Sequence, residues 1–261
     1  MRSDTTRQTV TVVAFLLTIA LNAAATTIPL GGQATNVISD SFHVYVIPAG
    51  YVFSIWGLIY TLLGAFTVWQ ALPRNRERAV LRDLGWLPAL SGVLNSLWIV
   101  LFQYRVFVLT VPVIVALLIT LIAIHFRLWD HRGLLRGSAY WLARAPWSVY
   151  LGWITVATIA NVAQTLSSLG FTGFGIDPVL LAAVVLVVGI AIAARFVGRF
   201  GDAAYGWVIV WAYVGVAVKE AAVPLVAGTA LAGALLVAGL VVVAMVRRRA
   251  SGGVAGTAAP A

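Results

Sequence analysis

Three apolar stretches of this 261-residue chain carry aromatic rings and uncharged polar groups at helical spacing. In "PAGYVFSIWGLIYTLLG", Trp56, Tyr60 and Gly64 stand at i, i+4 and i+8. Asn95, Trp98 and Phe102 stand at i, i+3 and i+7 of a second stretch, and Tyr150, Trp153, Ala157 and Asn161 at i, i+3, i+7 and i+11 of a third. These offsets put each set on one face of a helix. Trp56 lies about 9–12 Å beyond Pro48 and Gly50 at 1.5 Å per residue. That is too deep for a ring anchored at the water interface. An amide or hydroxyl at that depth cannot face lipid without cost. The stripes should therefore converge, and a pocket of Trp, Tyr, Phe and Asn without charge suits a flat, apolar, aromatic or polycyclic ligand. The same residues could instead pack on one another, with Asn95 and Asn161 as glue between helices.

Other chemistries find little support. Every carboxylate (Asp4, Asp40, Glu77, Asp83, Asp130, Asp177, Asp202, Glu220) falls in a loop or at a segment end, which argues against a proton-coupled pump. Lys219 ends a segment and abuts Glu220, unlike a retinal Schiff-base lysine set mid-helix among counter-ions. It reads as a lysine reaching to the interface. No His, Asp or Glu pair has the spacing of a bundle metal site, and the chain has no cysteine. No Ser or Thr has a nearby base to activate it. Neither an enzyme nor a metal protein is expected.

The elements that must position the stripes are membrane helices. The chain is 62% hydrophobic and 10% charged, and apolar runs of about twenty residues recur, each able to span a bilayer core. Eight segments are expected: 10–30, 48–72, 86–104, 106–127, 145–168, 178–197, 203–219 and 223–246, with Gly, Pro or charged residues at each break. The first, behind Arg2 and Arg7, is expected to be a retained helix rather than a cleaved leader. The formal charge of +9 is sorted by this arrangement. Fifteen of the 17 basic residues fall on one side, including Arg74–Arg82, Arg127–Arg144 and Arg247–Arg249, and only Arg105 and Lys219 on the other. The positive-inside rule then places both termini in the cytoplasm. The charge is a topology signal with some affinity for anionic lipid, not a nucleic-acid surface.

At the same three stretches the chain resembles the translocator protein family, which includes the tryptophan-rich sensory proteins and the peripheral benzodiazepine receptor. The resemblance rests on "PAGYVFSIWGLIYTLLGAFTVW", "GVLNSLWIVLF" and "YLGWITVATIAN", and covers about residues 10–168. It implies an all-α integral membrane fold: a TspO-like five-helix transmembrane bundle over residues 1–170 with a ligand pocket near the first loop. To this the chain adds a three-helix transmembrane extension over 171–247, for eight spans, and a disordered tail over 248–261. By motif position the resemblance implies Trp56, Tyr60, Asn95, Trp98, Tyr150, Trp153, Ala157 and Asn161 as pocket residues. It further implies a tetrapyrrole such as haem or protoporphyrin as ligand, a homodimer through faces rich in small residues, and a bacterial or archaeal inner (plasma) membrane as location. The first loop, "GGQATNVISDSFHVYVIPAG", keeps Phe42, Tyr45 and Pro48 of the family's aromatic run, and "VAQTLSSLG" lacks the family's cholesterol-recognition residues. The expected function is binding, sensing or translocation of a small apolar ligand. A secondary transporter of a small solute and a non-catalytic scaffold are the competing readings.

Overall fold

A computed structural model describes residues 2–28, 30–133, 135 and 137–254. All of its regular structure is helical: α1 (Arg2–Thr27), α2 (Thr35–Ser39), α3 (Ile55–Ala71), α4 (Ala79–Leu84), α5 (Leu87–Gln103), α6 (Phe107–Asp130), α7 (Ser138–Ala143), α8 (Ala145–Ser168), α9 (Pro178–Phe200), α10 (Ala203–Lys219) and α11 (Pro224–Val254). Each of the eight expected apolar segments holds one of the long helices, but α1 begins at Arg2, ahead of the segment expected from residue 10, and α3 begins at Ile55, after a 3-10 turn (Gly50–Ser54) that opens the segment expected from residue 48. The three short ones, α2, α4 and α7, lie within stretches expected to be breaks. Arg136, one of the basic residues counted above, and residues 255–261 of the expected tail lie outside the described residues.

Six of the long helices are long and apolar enough to cross a membrane; α5 and α10 are apolar helices of 17 residues each. The chain is an all-α integral membrane protein. Local chemistry sets the helix boundaries. Proline opens α5, α8 and α9, where its missing N–H has no helical partner to lose. The Asp177 carboxylate accepts from the backbone N–H of Val179 (2.9 Å) and Leu180 (3.0 Å) at the start of α9, and Asp202 accepts from Tyr205 N–H (3.2 Å) at the start of α10. Gly201 closes α9 in the left-handed conformation that costs glycine least.

The chain divides into two compact units, 1–44 with 53–171, and 45–52 with 172–261. In the first unit α1 packs against α3 and α5, α5 against α6, α6 against α8, and α8 returns to α3. Five helices thus close a ring. Its α1 terminus is fixed by an ion cluster: the buried Asp4 carboxylate accepts from Arg7 Nη1 (3.0 Å) and from Arg82 Nη2 (2.7 Å) and Nε (3.1 Å). Gln8 Nε2 beside it donates to the Gln70 carbonyl (2.5 Å), and Gln70 Nε2 donates back to the Gln8 carbonyl (3.3 Å). The Gln8 amide thus satisfies a carbonyl that the end of α3 leaves without a helical partner.

In the second unit α11 packs against both α9 and α10, and Tyr213 Oη on α10 donates to the Leu186 carbonyl on α9 (3.0 Å). The strip 45–52 belongs to this unit. Ala49 N–H donates to the Gly215 carbonyl (3.1 Å), Trp211 Nε1 donates to the Val52 carbonyl (3.1 Å), and Tyr51 packs edge-on against Trp211 at 5.3 Å. The strip approaches so closely that a Cβ at Gly215 would collide with the Val52 side chain and touch Pro48. Gly215→Val should therefore lower stability by about 1–3 kcal/mol through overpacking. Gly228→Ala, with open space around its Cα, should be neutral or slightly stabilising. Thermal unfolding of the two variants in detergent checks the contrast.

Candidate functional site

The aromatic residues of α3 meet those of α8 inside the five-helix ring. Trp56 stacks on Tyr60 (centroids 5.3 Å apart, planes 19° apart) and turns its edge toward Tyr150 (6.1 Å) and Trp153 (6.0 Å). Phe53 closes on Trp153 from the start of α3 at 5.7 Å. The pairing follows from direction. α3 and α8 run antiparallel, so the i, i+4 stripe of one faces the i, i+3 stripe of the other. Tyr150 and Trp153 are each 2% exposed, whereas Trp56 and Tyr60 are half-buried and form the outer wall.

An amide chain holds the inner wall. Asn22 Nδ2 on α1 donates to Asn95 Oδ1 on α5 (2.8 Å), and Asn95 Nδ2 donates to Tyr150 Oη on α8 (2.8 Å). Three helices are joined through one buried amide, and Tyr150 is fixed in place.

Trp98 and Asn161 gather elsewhere. Asn161 lies eight residues beyond Trp153, about 12 Å further along α8, so the α5 stripe meets the α8 stripe at two levels, through Asn95 and Tyr150 and through Trp98 and Asn161. Trp98 Nε1 donates to Asn161 Oδ1 (3.1 Å), and Asn161 Nδ2 donates to Thr110 Oγ1 on α6 (2.9 Å). Trp98 stacks on Phe102 at 4.9 Å, and Phe102 meets Phe107 at 5.6 Å. Ala157, half-buried, sits between the two groups on α8.

The first loop covers this second cluster. Ile38 of α2 is fully buried against Phe102 and Phe107, and Phe42 meets Phe107 edge-on at 5.7 Å. Gln164 Nε2 donates to the Ile38 carbonyl (3.1 Å), and Gln103 Nε2 donates to Thr35 Oγ1 (2.9 Å). A Cβ at Gly31 would collide with the Gln103 carbonyl, so glycine is required where the loop lies on the end of α5.

Neither cluster contains a group charged at neutral pH. Both site asparagines are engaged within the protein, and three buried donors are not. Among the described residues, Tyr60 Oη, Trp153 Nε1 and Trp147 Nε1 have no hydrogen-bond partner. No group of three His, Cys, Asp or Glu able to hold a metal occurs among the described residues.

Sequence spacing missed Asn22, Thr110, Phe53, Gln103 and Gln164. Asn22 carried the cue that singled out Asn95, an amide deep in an apolar helix, but no aromatic stripe accompanied it.

A family-wide sequence profile described as TSPO-like protein matches residues 8–243, most of the chain and all eight long helices. The chain belongs to the TSPO-like protein family. No curated protein and no solved structure gives a significant match. The TSPO-like match continues well past the motifs around Trp56, Trp98 and Trp153, so α9 to α11 are part of the family pattern.

The amide chain is open to a direct test. Asn95→Leu should cost about 1–3 kcal/mol, because it strands the Asn22 amide and the Tyr150 hydroxyl. Asn22→Leu should cost less, and the double variant should cost less than the sum of the singles. Denaturant unfolding of the four proteins measures the coupling.

Proposed function

We propose that this membrane protein binds a small apolar or polycyclic ligand against the aromatic cluster of α3 and α8, and senses or translocates it. The observation that carries the reading is the uncharged cage of Trp56, Tyr60, Tyr150 and Trp153, with two buried donors, Tyr60 Oη and Trp153 Nε1, unused by the protein. Aromatic walls recognise a flat apolar body, and a few placed polar groups fix its orientation. The half-buried Trp56 and Tyr60 can be reached from outside the ring, while Asn95 holds the opposite wall still. Trp98, Ala157 and Asn161 belong to the loop-covered side of the same interior. Family membership supports a tetrapyrrole-like ligand, haem or protoporphyrin, and a homodimer; no catalytic step is part of the reading.

The test is fluorescence titration of the purified protein with protoporphyrin, haem, a sterol and a carotenoid. Saturable tryptophan quenching is expected with at least one of them. Tyr60→Phe should weaken that binding about five- to tenfold, the worth of one hydrogen bond of about 1 kcal/mol. The reading is lost if no compound quenches and Asn95→Leu changes nothing. A scaffold role, favoured by the direct ring-to-ring contacts, predicts that negative result. Solute flux into proteoliposomes that depends on an ion gradient would instead identify a secondary transporter.

The proposal includes eight spans in the inner (plasma) membrane with both termini cytoplasmic, supported by the distribution of arginine. The chain has no cysteine, so single cysteines report without background. In intact cells a membrane-impermeant maleimide should label Gln33→Cys and spare Arg74→Cys; the opposite pattern would invert the topology.

A further inference from the structure

A second polar site lies in the first unit where α3 ends and α8 begins, on the other side of Tyr150 from the Trp56 cluster. A cavity of about 20 Å³ opens there among α1, α3, α5 and α8, lined by Thr11, Thr67, Ser91, Trp147 and Tyr150 among others. Ser91 Oγ donates to the Pro88 carbonyl (2.7 Å), and Thr18 Oγ1, also at the cavity, donates to the Ala14 carbonyl (2.8 Å). Thr61 and Thr155 likewise close on the carbonyls four residues back, Gly57 and Leu151. Thr11 of α1 and Thr67 of α3, both buried residues, line the same cavity, where their hydroxyls can donate and accept. The indole Nε1 of Trp147, a residue 3% exposed, has no hydrogen-bond partner among the described residues.

An unpartnered indole N–H from α8 and two hydroxyls from α1 and α3 thus border one small cavity. A cavity needs about 10–15 Å³ to hold one water, and an internal water needs two to four polar partners. Both conditions are met for one molecule. We propose that this cavity is a binding site for a single ordered water. The water accepts from Trp147 Nε1–H and exchanges hydrogen bonds with the hydroxyls of Thr11 and Thr67, bridging α8, α1 and α3. Without it the Trp147 indole N–H is a buried donor that lacks a partner, which folded proteins avoid. Tyr150 lines the cavity with its ring while its hydroxyl is held by Asn95, so one side chain separates the hydrated site from the aromatic cluster.

An experimental structure of the full chain in lipid, at a resolution that shows ordered waters, tests the assignment. The expected result is one isolated density peak within about 3.2 Å of Trp147 Nε1 and of at least one of Thr11 Oγ1 and Thr67 Oγ1. In Thr67→Val, which removes one hydroxyl at nearly constant volume, the peak should weaken or vanish. Thr67→Ser should retain it. No peak in the wild-type protein, chain-like density from lipid or detergent, or a peak unchanged in Thr67→Val would each overturn the site. The wild-type structure decides the question even if a variant does not fold.

Discussion

Asn95 engages both ends of its amide inside the bundle, and much of the first unit depends on that. In hydrocarbon an unpaired amide has no water to fall back on, so a buried asparagine fixes the helices that satisfy it. Asn95 takes its donor from α1 and gives its own to α8. Asn161 does the same between Trp98 of α5 and Thr110 of α6. Together the two amides connect four of the five helices of the ring, and the α3 aromatics pack on the α8 wall so positioned. Contacts between rings add area and geometry, but the amides choose the register.

The second unit is built on another rule. Its helices carry few polar side chains at depth, and closeness is achieved by glycine. A Cβ at Gly206 would strike Val241, one at Gly233 would strike Ile190, and Gly215 admits Val52. Small residues that let backbones approach are the usual device where lipid competes equally for apolar surface. Asp177, Asp202, Trp211 and Tyr213 supply directional bonds.

These two rules explain what could be read in advance. Helix positions were legible because Pro88, Pro146, Pro178 and the Gly- and Arg-rich breaks punctuate apolar runs. That Trp56 and Tyr60 share one face, as do Tyr150 and Trp153, was legible because helical spacing fixes a face. Which stripe meets which was not, since spacing says nothing of depth; Trp98 and Asn161 meet about 12 Å further along α8 than Trp153. The folding of α2 over Phe102 and Phe107 was hidden as well. Ile38 and Phe42 stand in a loop with no periodicity, and what holds them there, ring contacts with Phe107 and the amides of Gln103 and Gln164, is distant in sequence. The last three helices offered no motif, because glycine-mediated packing leaves no spacing of reactive groups to recognise.

The uncharged lining of the Trp56 cluster has an electrical consequence. Moving one elementary charge across a membrane changes its energy by about 2.3 kcal/mol per 100 mV. The rings, amides and hydroxyls gathered around Tyr150 carry no such charge, so rearranging them moves none through the field. A rearrangement confined to these groups would be electrically silent and indifferent to the membrane potential.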